Sequence, residues 1–355
     1  MKPRSVLALV LSAIAAIAAM TSAAAAPAAP VPARLSETGL YLPGSTTAVR
    51  AGVIAFSPQY PLWSDGTRKR RWIALPPGAT IDASQVDAWE FPVGTRLWKE
   101  FAYGRRIETR MIERLADGSW RFAAYVWNAE GTEAVLAPED GIVVPVADAP
   151  GGRYAVPGRN DCTACHEGPA IPVLGLTALQ LSSDRDPLAP HADPPCAGQP
   201  DLRSLVDRGV LRGLPAELLK TPPRIAASSP TARAALGYLH GNCGHCHNAA
   251  GALTGLELVL AQQADVGARS AERTVRSLLG HSSRFRPRET ADATQRIASG
   301  HGSSVLTLRM KTDNLLARMP PLGVQVVDAE GIALIERWIS TDLQHSLTSR
   351  KENRP

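Results

Sequence analysis

The stretch GYLHGNCGHCHNAAG, residues 237–251, concentrates cysteine and histidine more densely than any other part of the chain. Within eight positions it holds His240, Cys243, His245, Cys246 and His247. A related cluster, NDCTACHEG, lies at residues 160–168. What these two clusters hold decides most of what the chain can do.

Four of the five cysteines form two Cys-x-x-Cys pairs, and a histidine follows each pair at once. A Cys-x-x-Cys pair alone could be a redox dithiol or half of a zinc site. A zinc site, however, needs no histidine at that fixed position. Cys-x-x-Cys-His is the attachment sequence of c-type haem, in which the thiols bond the porphyrin edge and the imidazole binds the iron.

The sequence therefore predicts two covalently bound haem c groups. The thioether-forming residues are predicted to be Cys162, Cys165, Cys243 and Cys246, and the proximal iron ligands His166 and His247. His240 and His245 are predicted to be local polar residues, because the attachment geometry already places His247 under the iron.

The first 26 residues are typical of a secretory signal peptide. Lys2 and Arg4 precede an apolar run at 6–20, and small residues follow it. Cleavage would lower the formal charge from +5 to +3, too small an excess to indicate nucleic acid. We expect an exported, periplasmic protein with no membrane span after signal cleavage. The basic run RKRR (68–71) is interpreted as a solvated edge, with a docking patch for an acidic partner as the alternative.

The remaining chain divides into three parts. Residues 40–181 are predicted to form a β-rich domain with the first haem, and the Asp117-Gly118 turn joins two of its strands in a hairpin. Residues 182–224 have the Pro/Asp/Ser composition of a linker and connecting segment. Residues 225–345 are predicted to be helical: Ser229 and Asp328 are candidate N-caps, and Pro230 occupies a first helical position.

Residues 225–345 resemble a class I cytochrome c domain, with a helix, CGHCH, a variable stretch, ARMPPLG and a final helix. The resemblance implies that Met319 is the sixth ligand of the second iron; Met310 is the rival. The predicted fold class is α+β in two domains, an antiparallel β-rich N-terminal domain ending in a haem motif and an all-α C-terminal cytochrome c domain.

The sixth ligand of the first haem is left open, because no histidine precedes His166. Met111 is expected to pack in the core, His191 could fold back onto the iron, and an open position would permit chemistry. WEFPVGTRLWKEF and the β-rich stretch after it resemble small lysine-crosslinked c-type cytochromes that oxidise hydroxylamine. In that resemblance Lys99 is the residue to inspect for a haem crosslink. PLWSDG, FPVGT and MPPLG together resemble a group of exported bacterial cytochromes.

Two functions follow from these predictions. The favoured one is a dihaem carrier that transfers electrons between a periplasmic dehydrogenase and a downstream acceptor, with periplasmic redox proteins as partners. The alternative is a haem oxidoreductase, hydroxylamine-oxidase- or peroxidase-like, with catalysis at the first haem. Cys196 has no predicted partner in the chain; it is interpreted as a buried or capped thiol or as half of an intermolecular disulfide.

Overall fold

The computed structural model describes residues 30–169, 171–193, 199–265, 267–286, 294–297 and 304–343. The predicted signal peptide and Cys196 lie outside the described residues. Within these ranges, no helix has the length and apolar character that crossing a membrane requires.

An antiparallel sheet of six strands is the largest regular unit, with the strand order β1-β2-β4-β5-β6-β7. Two smaller sheets pair β8 with β9 and β3 with β10. The strands are β1 (Ile54–Ala55), β2 (Arg68–Ala74), β3 (Ile81–Asp82), β4 (Arg96–Tyr103), β5 (Arg105–Arg114), β6 (Trp120–Trp127), β7 (Ala134–Leu136), β8 (Ile142–Pro145), β9 (Arg153–Val156) and β10 (Leu211–Arg212).

The predicted hairpin at Asp117-Gly118 is confirmed. Strands β5 and β6 pair antiparallel on either side of it, and the Leu115 N–H donates to the Ser119 carbonyl at 2.9 Å. Gly118 has a φ of 82°, in the left-handed region that glycine adopts without steric cost. Aspartate followed by glycine between two alternating strands is therefore sufficient to predict this turn.

The two faces of the sheet differ in character. One face carries a cross-strand row of Trp72, Trp98 and Met111, which packs beneath the N-terminal segment around Leu35 and Tyr41. Because side chains alternate along a strand, the neighbouring positions point to the opposite face. That opposite face supports the first cysteine motif.

The helices are short and are joined by irregular segments. They are α1 (Arg159–His166), α2 (Leu202–Asp207), α3 (Glu217–Lys220), α4 (Pro230–Asn242), α5 (Ala268–Leu278), α6 (Val305–Lys311) and α7 (Ala329–Trp338). The predicted caps are confirmed: the Ser229 hydroxyl accepts from the Ala232 N–H at 3.0 Å, and the Asp328 carboxylate accepts from the Gly331 N–H at 2.9 Å.

The predicted fold class is wrong, because no separate all-α C-terminal cytochrome c domain is evident in the described part of residues 225–345. Bridges such as Leu279–Ile297 bring β-type pairing into this region. Helix α4 also shares its core with the N-terminal half, since Tyr60 and Leu179 belong to the same buried cluster. A side chain at Gly237 of α4 would collide with the Tyr60 ring.

Two hydrogen bonds fasten the same regions together. The Trp63 N–H donates to Asn242 Oδ1 at 2.7 Å, and the Trp63 indole N–H donates to the Val326 carbonyl at 3.0 Å. The helices predicted from the candidate N-caps Ser229 and Asp328 are present as α4 and α7. The sequence prediction did not foresee that their apolar surfaces are covered partly by residues 60–63 and by Leu179 instead of by further helices.

Candidate functional site

The second motif forms a tight turn at the end of helix α4. The Cys243 N–H continues the helical pattern by donating to the Leu239 carbonyl at 2.9 Å, and the His247 N–H donates to the Cys243 carbonyl at 2.8 Å. Asn242 anchors the turn, because its amide donates to the Tyr238 carbonyl at 3.0 Å while its oxygen accepts from Trp63. Backbone hydrogen bonds and the side chain of Asn242 therefore position the second motif.

A largely apolar cavity opens beside this turn. Its space is about 1400 Å³, including the part open to solvent. The cavity wall combines the second motif, two methionines, apolar side chains and several charged ones: Cys243, His245, Cys246, His247, Met310, Met319, Leu256, Leu258, Leu260, Leu278, Phe285, Val305, Leu306, Val324, Val326, Val327, Ile332, Arg284, Arg296, Arg309, Arg318 and Asp328.

The residues present fit a covalently attached, flat, apolar group. Two thiols, the imidazoles of His245 and His247 and two thioethers meet in one largely apolar cavity. Nδ1 of His247 is buried and has no hydrogen-bond partner in the described structure. An unsatisfied buried polar atom is unfavourable, which is consistent with an imidazole that is completed by an added group.

The two candidate sixth ligands differ in their anchoring. Met310 lies on helix α6 and also packs against the core cluster around α4 and α7. Met319 lies in the loop after α6, where its N–H donates to the Arg309 carbonyl at 2.9 Å. Both methionines line the cavity, so Met319 remains the predicted ligand and Met310 its rival.

The first motif lies on helix α1, against the sheet. Cys162, Cys165 and His166 occupy positions i, i+3 and i+4, which face the same side of a helix. The His166 ring lies 5.3 Å from the Phe122 ring of β6, measured between centroids. Its Nδ1 is 2.5 Å from the Pro172 carbonyl. Bonding of one ring nitrogen to a carbonyl orients a metal-ligating histidine and leaves the other nitrogen free.

Beside this motif the sheet carries a row of cations, Arg71, Lys99 and Arg110, which are direct cross-strand neighbours. Like charges in this arrangement repel, so each needs compensation. Arg110 has Glu108 at 2.7 Å, and Arg71 has Asp193 at 3.3 Å.

Lys99 lacks such a carboxylate within the described ranges; its ammonium lies 4.8 Å from the centroid of the Phe101 ring. Burial, together with the charges of Arg71, Lys69 and Arg110, holds the pKa of Lys99 well below its usual range. The row therefore places an amine without a paired carboxylate next to the first motif, and its environment favours the neutral form.

The interpretation of residues 68–71 as a solvated edge is wrong for half of the run. Arg68 and Arg70 are exposed, but Lys69 and Arg71 are buried. The Lys69 ammonium donates to the Leu62 carbonyl at 2.8 Å, and burial lowers its pKa to about 8. The strand alternation of this segment was the available signal, since every second side chain of a strand points to the same face.

The four described cysteines are free thiols with raised pKa values. Burial raises the pKa of Cys162 to about 11 and that of Cys243 to about 12, and it also raises those of Cys165 and Cys246. Redox dithiols and zinc ligands act as thiolates, which a lowered pKa favours. The burial of these pairs therefore argues against a redox dithiol, whereas a bound metal ion would itself lower the thiol pKa values.

The structure brings the two motifs together although 81 positions separate His166 from His247. Gly168, just after the first motif, lies against the backbone of His245 in the second. No local sequence pattern indicates this contact, because the contact depends on how helix α4 docks beside the sheet.

Two further candidates lie away from the first motif. Nε2 of His191 is 2.9 Å from the Asp328 carboxylate, and its ring lies 4.6 Å from that of Trp63. In the structure His191 is therefore engaged by Asp328, and its binding to the first iron stays a prediction. Met111 is fully buried on the opposite sheet face, in the core role predicted for it. His240 acts as a local polar residue, since its Nδ1 accepts from the Gln262 N–H at 3.0 Å.

No group of three or more His, Cys, Asp or Glu residues that could hold a metal ion occurs in the part of the chain that the structure describes. Comparison with protein-family models, with curated proteins and with solved structures gives no match for this chain.

Proposed function

We propose that this chain is a periplasmic dihaem c-type cytochrome that transfers electrons between a dehydrogenase and a downstream acceptor. The observation that carries the proposal is the meeting of Cys243, Cys246, His247 and Met319 in the wall of one apolar cavity. A Cys-x-x-Cys-His turn that shares a cavity with a methionine is consistent with a His/Met-ligated haem, which favours electron transfer.

Each part of the chain would contribute differently to the two cofactors. At the second site, Cys243 and Cys246 would form the thioethers, and His247 and Met319 would be the iron ligands. At the first site, Cys162 and Cys165 would form the thioethers and His166 would bind the iron. No methionine is assigned as a second iron ligand there. The haem iron would supply one-electron exchange, and the apolar wall would exclude water from it.

The cation row supports a second candidate function, a haem oxidoreductase of the hydroxylamine-oxidase or peroxidase type acting at the first site. Met111 and His191, the two donors considered for this iron, lie elsewhere in the structure. An open iron position next to Lys99 and Arg110 would suit a polar or anionic ligand. We favour the carrier, since a binding environment alone is weak support for a reaction.

Carbon monoxide binding to the reduced protein separates the two functions. An iron held by two protein ligands excludes carbon monoxide, whereas an open or weakly held position binds it. Absence of binding would contradict the oxidoreductase and leave the carrier. Binding at one haem per chain would call for turnover assays with hydroxylamine and with peroxide; turnover would contradict the carrier as the main function.

A further inference from the structure

The contact between the two motifs is made by backbone against backbone. A side-chain carbon at Gly168 would lie 2.8 Å from the His245 carbonyl oxygen, and one at Gly251 would collide with the Gly168 carbonyl. Neither glycine has a positive φ, so glycine is required here for close approach and not for an unusual backbone conformation. Gly168 follows His166 by two residues, and Gly251 follows His247 by four.

Asn248, the residue directly after His247, fastens the contact. Its amide donates to the His245 carbonyl at 2.9 Å and to the Gly244 carbonyl at 3.1 Å, and the same nitrogen makes a longer contact of 3.4 Å with the Gly168 carbonyl across the contact. Its side-chain oxygen accepts from the Gly251 N–H at 2.7 Å. Asn248 is buried, so one side chain ties the turn of the second motif to the end of the first.

We propose that Gly168, Gly251 and Asn248 join the two attachment motifs into one unit in which the two cofactors exchange electrons directly. The inference rests on the proposed function and adds the route by which an electron passes between the two haems. In the exchange one electron leaves a ferrous iron and reduces the ferric iron of the other site; no bond forms or breaks, and no proton moves. The three residues are positioning residues, since they touch the motifs and not the irons.

The test measures coupling between the cofactors in the loaded protein. Circular dichroism in the Soret region should show a two-signed couplet that is absent from the summed spectra of the two single-haem variants, C162S/C165S and C243S/C246S. Electron paramagnetic resonance of the oxidised wild-type protein should show spin–spin broadening that disappears when one iron is reduced. The second measurement needs no variant and stays informative if a single-haem variant fails to fold.

Substitutions at the contact should weaken both signals. Gly251→Ala forces the two backbones apart and should reduce the couplet and the broadening. Gly255→Ala is the matched control, because a side chain at Gly255 meets no atom within 4 Å, and its signals should equal those of the wild type. If the protein carries two covalent haems, but its circular dichroism equals the sum of the single-haem spectra and its resonances are not broadened, the inference of direct exchange is contradicted and the proposed function is not. A chain that carries no haem would overturn the proposed function together with the inference.

Discussion

The two cysteine motifs have the same five-residue pattern but different surroundings. The second ends helix α4 and faces an apolar cavity with two methionines in its wall. The first lies on helix α1 above a sheet face that carries Arg71, Lys99 and Arg110 in a row. The motif defines how a cofactor attaches, whereas its neighbours define potential and reactivity. Arginines lie in the wall of the second cavity as well, so the difference between the two sites is the pair of thioethers at the second: a thioether that binds the iron favours a carrier site, and a site without one leaves an iron position open.

The largest effect is expected at the base of the first site. Glu108 is fully buried and accepts from Arg110 at 2.7 Å and from the Tyr154 hydroxyl at 2.8 Å. Glu108→Ala leaves the Arg110 charge without its partner and should lower the free energy of unfolding by about 3–5 kcal/mol.

Urea unfolding measures this loss. The matched control is Glu217→Ala, which removes an exposed carboxylate 2.9 Å from Lys220 and should change the free energy by less than about 1 kcal/mol. Equal effects of the two substitutions would show that the buried pair is not a supporting element of the first site.

The second prediction concerns the neutral imidazoles near the second motif. Burial lowers the pKa of His240 to about 4, against about 6.5 in the unfolded chain. Between these values the unfolded state binds the proton and the folded state does not, so stability falls as the pH falls from about 6.5 to about 4.

The variant His240→Asn removes the titrating imidazole. Its side-chain oxygen can accept the hydrogen bond that the Gln262 N–H donates to His240. Over that pH range the wild type should lose up to about 3 kcal/mol more stability than the variant. Urea unfolding at several pH values measures the difference, and parallel pH profiles of the two proteins would refute it.

Replacement of the predicted methionine ligand should change only the second site. Met319→Ala should convert that haem from low to high or mixed spin and lower its potential on the order of 0.1 V, because a thioether favours ferrous iron. It should also raise carbon monoxide binding by one haem per chain. Met310→Ala is the matched control; if it alone produces these changes, Met310 is the ligand.

The smallest expected effect concerns the charge of Lys99 beside the first site. Lys99→Met removes a cation near His166, and a nearby positive charge favours the reduced iron. We expect the potential of the first haem to fall on the order of tens of millivolts at a pH where Lys99 is protonated. Lys220→Met, at an exposed helix position, is the control and should leave the potentials of both haems unchanged. If Lys99→Met leaves the potential of the first haem unchanged, the charge of Lys99 does not act on the first iron.

Features defined by neighbouring residues were the ones predictable from the sequence. The spacing of Cys162, Cys165 and His166 sets their common helical face, Asp117-Gly118 specifies its turn, and Ser229 and Asp328 cap their helices. These outcomes depend on backbone geometry over a few residues.

Features that depend on strand register and docking were not predictable in the same way. The cation row requires the pairing of β2, β4 and β5, and the Gly168–His245 contact requires α4 to dock on residues 60–63. The prediction of a separate helical domain failed for the same reason, since periodicity shows that a helix has an apolar face but not which residues cover it.

The central claim is that both motifs carry covalent haem. Mass spectrometry of the denatured protein tests it most directly, because thioether-bonded haem survives denaturation and a coordinated metal ion does not. The account predicts two haem increments per chain, and one increment in each of C162S/C165S and C243S/C246S. A chain mass with no haem increment, with the thiols free, oxidised to disulfides or bound to zinc before denaturation, would contradict it.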